Sequence, residues 1–163
     1  MIIGLARLDD RLIHGQVALV WTKDANVSRI IVVNDEVAKD QLRSTLLKQA
    51  APPGISASIV DVEKAVRVFN NPKYAQDRVM LLFTTPIDVE RVIAAGIPLS
   101  FLNIGGVSFK EGKRKLTKAI FLNQAEADSL KRIAAQGVEL DVRVVVNDPR
   151  EDMIALINKH FSS

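Results

Sequence analysis

Short runs of apolar residues alternate along this chain with stretches in which apolar residues recur at every third or fourth position. A nearly continuous apolar run predicts a strand that is buried on both faces of a sheet. Six segments have this character, four strongly (2–8, 29–33, 79–83 and 99–104) and two more weakly (55–60 and 119–122). In residues 138–146 apolar and polar positions alternate, which predicts a seventh strand whose wetter face carries Glu139, Asp141 and Arg143.

The intervening stretches have the spacing of amphipathic helices. Three sets of apolar positions have it: Ala38, Leu42, Leu46 and Ala50; Val62, Val66 and Phe69; and Leu130, Ile133 and Ala134. We expect each set to lie on one face of a helix.

Residues that begin or end helices stand at the borders of these segments. Thr85 and Asp148 are each a capping residue followed by a proline, which suits the first helical position. Asn123 stands three residues before a glutamate, the spacing of a capping box. Gly96 and Gly137 are placed where helices are expected to end, each just before a predicted strand.

About seven strands therefore alternate with about six helices. This order predicts an α/β fold, an open twisted sheet of about seven mostly parallel strands with helices on both faces. The 163 residues, 48% of them hydrophobic, suit a single domain over 1–163. In such sheets ligands bind at the carboxyl ends of strands, near the point where strand order reverses.

Composition excludes several classes of function. Cysteine is absent, so the chain has no disulfide framework, thiolate metal site or cysteine nucleophile. A net charge of +3 and an aromatic content of 5% do not support nucleic-acid binding. No apolar run approaches the roughly 18 residues of a membrane span, and the first residues do not have the pattern of a secretory signal. We expect a soluble intracellular domain.

The loop after the first predicted strand concentrates residues suited to chemistry. Its sequence RLDDRLIHGQ contains two arginines, two aspartates and a histidine, followed by Gly15, which permits a tight turn. A neutral histidine offers a nitrogen nucleophile, and Arg11 presents a forked guanidinium to phosphoryl oxygens. An aspartate can hold the other ring nitrogen. The same residue types also form structural ion pairs in loops, so the loop by itself is compatible with both phosphorylation and a structural role.

The segment ARLDDRLIHGQV resembles the active-site signature of the IIB subunits of the mannose/fructose/sorbose-type sugar phosphotransferase system. Other segments resemble that family in the same order, among them RIIVVNDEVAKDQLRSTLLKQAAPPGI and LNIGGVSFKEGKRKLTKAI, so the likeness covers nearly the whole chain. It implies a seven-stranded fold in which His14 accepts a phosphoryl group that Arg11 stabilises. Five neighbours are expected to support the site: Arg7, Asp9, Asp10, Gly15 and Gln16.

The resemblance also implies a reaction and its partners. A IIA protein or domain would donate a phosphoryl group from its own histidine to Nδ1 of His14, which would pass it to a sugar carried by the membrane IIC and IID permease. The chain would be a protein-histidine–sugar phosphotransferase, without cofactor or metal, in the cytoplasm at the inner membrane face. We expect a separate subunit, for which the sugar stays open and a homodimer is compatible with the sequence. The alternative is a non-catalytic anion-binding or regulatory α/β domain.

Other strand ends supply candidates for the border of the site, namely Asn34, Asp35, Thr84, Gly105 and Gly106. The two glycines either form a turn or expose N–H groups to a phosphate or a partner. A basic run, made of Lys110, Lys113, Arg114, Lys115 and Lys118, is either a solvated hairpin or a docking surface for an acidic partner. The second histidine, His160, is expected to be a helix residue without a catalytic role.

Overall fold

The computed structural model of the chain describes residues 1–161, apart from the side chain of Gln16. Nine strands are present in this part: β1 (Ile2–Asp9), β2 (Arg29–Val33), β3 (Ser56–Val60), β4 (Arg78–Phe83), β5 (Phe101–Gly106), β6 (Arg114–Lys115), β7 (Phe121–Leu122), β8 (Glu139–Val142) and β9 (Glu151–Asp152). Seven α-helices accompany them: α1 (Gly15–Asp24), α2 (Asp35–Lys39), α3 (Gln41–Gln49), α4 (Val62–Asn70), α5 (Pro86–Ala94), α6 (Gln124–Ala135) and α7 (Met153–His160). A short 3₁₀ helix covers Pro72–Tyr74.

The main sheet has seven strands in the order β3-β2-β4-β1-β5-β8-β9. Every neighbouring pair is parallel except β8 and β9, so the predicted open, mostly parallel sheet is confirmed. The predicted strand at 119–122 contributes only β7, which pairs with β6 in a separate antiparallel hairpin. The seventh strand of the sheet is instead β9, whose two residues are too few to produce an apolar pattern.

The central strands are buried on both faces, as their continuous apolar runs predict. Along β2, Ile31 and Val33 join one apolar cluster, whereas Ile30 and Val32 join the cluster on the opposite face. Helices α4 to α7 contribute to the first cluster, and α1 and α2 contribute to the second. Helices therefore cover both faces of the sheet. Within residues 1–161, no helix combines the length and the apolar character that crossing a membrane requires.

One predicted helix is two helices in the structure. The backbone leaves helical geometry at Asp40, and the carboxylate of this residue accepts a hydrogen bond from the N–H of Arg43 at 3.0 Å, which begins α3. Leu42 and Leu46 are 72% and 56% exposed. The prediction of one helix face from Ala38 to Ala50 is therefore wrong, because the cap at Asp40 redirects the chain.

Most of the predicted helix ends are confirmed. Thr85 caps α5 through its hydroxyl, and Asn123 forms the predicted capping box at the start of α6. Gly96 and Gly137 adopt φ values of +104° and +90° just after α5 and α6. These left-handed conformations favour glycine, so both residues end their helices in the expected way.

Two predictions near the carboxyl terminus are wrong. Asp148 does not begin a helix, because its Oδ2 accepts the N–H groups of Val144 and Val145, each at 3.1 Å, and α7 starts only after Asp152. The predicted strand 138–146 ends at Val142. Asp141, which was expected on the solvent-exposed face of this strand, is buried and only 3% exposed.

The topology brings the end of β1 to a crevice in the sheet. From β1 the chain moves outward through β2 and β3, returns to β4, and then passes to β5 on the other side of β1. The carboxyl end of β1 therefore lies where strand order reverses, the position at which α/β sheets bind ligands. Between Leu8 and Asp9 the register shifts, so that Gly105 is an extra residue in the facing strand β5.

Candidate functional site

The loop after β1 turns back on itself and places His14 at the N-cap of α1. Leu12 and Ile13 are buried in the apolar cluster beneath this helix, and the N–H of Leu12 donates to the carbonyl of Asp9 at 3.0 Å. Leu12 has φ +65°, a left-handed conformation that is uncommon for leucine. This tight turn lets the side chains of Arg11 and His14 both return to the carboxylate of Asp9.

Asp9 is the centre of the candidate site. Its carboxylate is fully buried, and its Oδ2 accepts hydrogen bonds from Nη2 of Arg7 at 2.9 Å and Nη2 of Arg11 at 3.1 Å. Its Oδ1 accepts from the backbone N–H and from Nε of Arg11, both at 3.1 Å. Nε2 of His14 lies 3.2 Å from Oδ2. The structure thus brings together four of the residues predicted from the motif.

Contacts between Asp9 and its neighbours determine the ionisation state of this carboxylate. Burial alone would raise the pKa of Asp9, but hydrogen bonds from Arg11 and His14 and the charge of Arg7 outweigh it, so this pKa lies below its ordinary value. Burial lowers the pKa of Arg7, whose guanidinium nevertheless stays charged because arginine ionises far above neutral pH. A buried carboxylate anion therefore faces Nε2 of His14.

Exposure separates the residues of the site into two groups. The side chains of His14 and Arg11 are 28% and 44% exposed, whereas those of Arg7 and Asp9 are 3% and 0% exposed. Gly15 has φ +42°, and the space around its α-carbon is open. A reactant can therefore approach His14 and Arg11 from solvent, whereas Arg7 and Asp9 are buried and Asp9 contacts the first two residues only from the protein side. The side chain of the predicted supporting residue Gln16 lies outside the described part of the structure.

Arg7 is held on its far side by a second set of contacts. Its Nη1 donates to Oδ1 of Asn103 and, at 3.3 Å, to the carbonyl of Arg143. Its Nη2 donates to the carbonyl of Val144 at 3.0 Å. The guanidinium carbons of Arg7 and Arg143 lie 5.0 and 5.2 Å from the ring centroid of Trp21, within cation–π range.

Gly105 and Gly106 have a role other than the two expected from the sequence, which were to form a turn or to expose N–H groups to a phosphate or a partner. They belong to β5 rather than to a turn, and neither has a positive φ. A β-carbon on Gly105 would lie well under 3.0 Å from the guanidinium of Arg7, and one on Gly106 would lie 3.0 Å from Nη2 of Arg11. The two glycines leave room for the two arginines beside Asp9.

Adding a methyl group at Gly105 is expected to displace Arg7. Gly105→Ala should destabilise the protein by about 1–3 kcal/mol, the usual cost of overpacking a core. Gly106→Ala should cost less, because its β-carbon would lie 3.0 Å or more from its nearest neighbours, the guanidinium of Arg11 and Oδ1 of Asp9. Urea unfolding followed by the fluorescence of Trp21, the single tryptophan, measures both values. Equal effects at the two positions would contradict this account.

Whereas Asp9 is the aspartate that contacts His14, Asp10 bonds to Ser108 and lines a polar cleft. Its carboxylate accepts hydrogen bonds from the N–H and hydroxyl of Ser108 at 2.7 and 2.8 Å. The cleft has a volume of about 560 Å³ and is lined by polar side chains: Asp10, Asn34, Arg43, Thr84, Thr85, Ser108, Lys110, Lys113, Asn123 and Glu126. Two of the predicted border residues, Asn34 and Thr84, therefore line the cleft, and they are joined by a hydrogen bond of 2.7 Å.

Asp35 takes no part in this cleft. Its Oδ1 accepts the N–H of Val62 at the start of α4, and its Oδ2 accepts from Nη2 of Arg91, both at 3.0 Å. This predicted border residue is instead a link between helices. The sequence could not distinguish it from Asn34, because both residues follow β2 directly.

The basic run is partly used within the fold. Lys113 pairs with Glu126 at 3.1 Å, and Arg114 stacks on Phe161 and donates to the backbone carbonyl of His160. The three other cations of the run are exposed: Lys110, Lys115 and Lys118. In the described residues, no group of three or more histidine, aspartate or glutamate side chains is placed to hold a metal ion.

Sequence reasoning missed the contacts that lie behind Arg7. Asn103 is 0% exposed in a strand that otherwise reads as apolar, and its polar atoms meet Arg7, Asp141 and Arg143. A polar residue within an apolar run was the available signal. Arg143 and Asp141 were assigned to a wet strand face because their alternation with valine and leucine is the pattern of such a face.

Comparison with known proteins agrees with the resemblance found in the motif. Residues 3–163 match the family described as the PTS (phosphotransferase system) sorbose subfamily IIB component. The sorbose-specific EIIB component of Lacticaseibacillus casei is 53% identical over 161 residues, which cover 99% of this chain and 98% of that protein. The mannose-specific EIIAB component of Escherichia coli K12 is 55% identical over 159 residues, 98% of this chain, and the chain spans about half (49%) of its length.

A solved structure has the same fold over its whole length. The crystal structure of the IIBSor domain of the sorbose permease from Klebsiella pneumoniae is 47% identical and matches with a TM-score of 0.97, covering 100% of both chains. The sequence match and the structural match both extend over nearly all of the 163 residues. This chain therefore belongs to the family of mannose/fructose/sorbose-type IIB components of the sugar phosphotransferase system.

Proposed function

We propose that the chain, as a single IIB domain over residues 1–163, accepts a phosphoryl group on His14 from a phosphohistidine of a IIA partner. It then passes the group to a sugar that the membrane IIC and IID permease carries. The observation that carries this proposal is the contact between Nε2 of His14 and the buried carboxylate of Asp9. This contact orients the ring and decides which of its nitrogens is free.

The tautomer of His14 follows from that contact. An ionised carboxylate only accepts hydrogen bonds, so Nε2 carries the proton and donates to Asp9. Nδ1 is then the nitrogen with an available lone pair. This argument from geometry supports the same nitrogen that the family resemblance implies.

The transfer balances with the groups at hand. The lone pair of Nδ1 forms a bond to phosphorus, while the bond from phosphorus to the donor's ring nitrogen breaks and its electron pair stays with the donor ring. Because Nε2 keeps its proton, the ring of His14 becomes cationic as the bond forms. The carboxylate of Asp9, 3.2 Å from Nε2, stabilises this charge.

Two features favour the phosphoryl oxygens at this position. Arg11 is bound to Asp9 yet its side chain is 44% exposed, so its guanidinium faces both the carboxylate and the incoming group. His14 is the N-cap of the ten-residue helix α1, has no side-chain bond to that helix, and is followed by no acidic residue in the first turn. The helix N-terminus therefore offers its N–H groups and positive dipole end to an anion.

The polar cleft beside the loop supports a role in partner docking. Arg43 and Lys110 bring positive charge to it, and Phe109 is 63% exposed beside Lys110. A cleft that carries cations and has an exposed aromatic side chain beside it suits an acidic protein partner, and we assign it to the IIA donor. The permease would hold the protein at the inner face of the membrane, in the cytoplasm, and no cofactor or metal is invoked.

Intact mass spectrometry tests the proposal directly. The protein is mixed with a phosphorylated IIA donor that is active with another mannose-type IIB component. We expect a gain of one phosphoryl group, lost on mild acid treatment, that maps to His14 by tandem mass spectrometry. Binding of inorganic phosphate without any covalent transfer would instead favour the non-catalytic anion-binding alternative.

Arg11→Lys tests whether phosphoryl transfer needs the shape of the guanidinium or only its positive charge. Lysine keeps the positive charge but loses the planar fork that contacts both oxygens of Asp9 and the incoming group. We expect slower phosphoryl acceptance, by about tenfold to a hundredfold, since misplacement by about 1 Å has effects of that size. Quenched-flow measurement of acceptance gives the rate, and circular dichroism checks the fold. An unchanged rate would remove Arg11 from the mechanism.

A further inference from the structure

A buried polar layer lies behind the candidate site. Asn103, on β5, is 0% exposed, and its strand neighbours Leu102 and Ile104 are both apolar and buried. Burying an amide is costly unless its polar atoms are bonded. Packing alone therefore does not account for an asparagine at this position, and its polar contacts do.

The contacts of Asn103 permit one orientation of its amide. Nδ2 donates to Oδ2 of Asp141 and to the carbonyl of Arg143, both at 3.2 Å, and these atoms only accept hydrogen bonds. Oδ1 must therefore face Nη1 of Arg7, from which it accepts. Nε of Arg143 in turn donates to Oδ2 of Asp141 at 2.8 Å, which fixes the carboxylate.

This layer determines where Arg7 points. With Nη1 held by Asn103 and by the carbonyl of Arg143, Nη2 is directed at Oδ2 of Asp9. That oxygen is also the one that faces Nε2 of His14. A continuous chain of hydrogen bonds thus runs from Asp141 through Asn103, Arg7 and Asp9 to the imidazole ring.

We propose that Asn103 is a positioning residue for phosphoryl transfer, which, through Arg7 and Asp9, keeps the proton of His14 on Nε2 and leaves Nδ1 free. Asn103 touches neither the ring nor the phosphoryl group. Its role rests on the proposed function, because it acts on the histidine that this function uses. Asp141 and Arg143 support it by holding the amide in its single orientation.

Asn103→Leu tests the inference, because leucine has a similar volume and no polar atoms. Two quantities are measured on the full chain: the tautomer of His14, from the ring nitrogens by ¹⁵N NMR without any donor, and the rate of phosphoryl acceptance. We expect the share of His14 protonated on Nε2 to fall and acceptance to slow by about tenfold to a hundredfold. Trp21 fluorescence should change as well, since its ring stacks on Arg7.

A matched control separates positioning from loss of a buried hydrogen bond. Ser129 is also 0% exposed and donates through its hydroxyl to Glu90 on the other side of the fold. Ser129→Ala should leave both the tautomer and the rate as in the wild type. If Asn103→Leu does not fold, Asn103→Ser removes the same amide with a smaller and still polar side chain, and the same changes are expected.

Two outcomes would overturn the inference. The first is a wild-type tautomer in the folded Asn103 variants, and the second is a shifted tautomer with an unchanged rate. The proposed function fails differently, because the wild-type chain would then accept no phosphoryl group while its tautomer could still be measured. The NMR arm therefore distinguishes failure of the positioning role from failure of the reaction itself.

Discussion

Replacing His14 with alanine is expected to abolish acid-labile phosphorylation of the chain by a phosphorylated IIA donor. The expected loss is complete, since no other side chain in the loop offers a nitrogen lone pair at neutral pH. Intact mass spectrometry after mixing with the donor measures it.

The second histidine provides a matched control for this experiment. His160 is the last residue of α7, far along the chain from the loop, and the two histidines are the only ones in the sequence. His160→Ala should accept phosphoryl at the wild-type rate. His14→Gln, whose amide can still donate to Asp9, should keep the loop folded and also accept none. Labelling of either His14 variant would place the phosphoryl group elsewhere and overturn the assignment.

Asp9→Asn is expected to cost about 3–5 kcal/mol of folding stability, because it removes the only carboxylate within residues 1–161 that is bound to the buried guanidinium of Arg7. Asp10→Asn is the matched control, an adjacent aspartate whose carboxylate accepts hydrogen bonds from Ser108. It should cost about 1 kcal/mol or less. Urea unfolding at neutral pH measures both, and equal losses would contradict the central role of Asp9.

The difference in unfolding free energy between the wild type and Asp9→Asn is expected to depend on pH. The pKa of Asp9 is lowered in the folded protein, so its ionised form stabilises the fold fully above the unfolded value of about 3.9. This contribution is lost as the pH falls through the lower, folded pKa. The stability advantage of the wild type over Asp9→Asn should therefore be constant near neutrality and shrink in acid. An advantage that grew on acidification would contradict the lowered pKa.

The strands were predictable because the sheet is covered on both faces. A short, nearly continuous apolar run rich in β-branched residues, such as 29–33, is typical of a strand buried on both faces, and β2 covers this run in the structure. The two-residue strand β9 has no such run and was missed. The helix break at Asp40 was also missed, because a capping side chain there outweighs the regular spacing of the leucines around it.

The site was predictable in its residues and not in its geometry. The sequence of the loop places a histidine beside arginines and aspartates, but it does not say whether Asp9 or Asp10 contacts the imidazole ring of His14. The structure answers this through the register shift at Leu8 and Asp9, which depends on pairing with a strand about 95 residues away and follows from no local pattern. The layer of Asn103 and Asp141 depends on a second non-local pairing, that of β5 with β8.

The central position of β1 has a consequence for how the protein is made. Strand β1, which is synthesised before the other strands of this sheet, is flanked in the finished sheet by β4 and β5, and Arg7 contacts Asn103 and the carbonyls of Arg143 and Val144. The charges of the loop must therefore stay in water until most of the chain has been synthesised. Contacts between such distant segments also slow folding. The contacts around Arg7 are thus complete only in molecules in which β5 and residues 143–144 have already folded against β1.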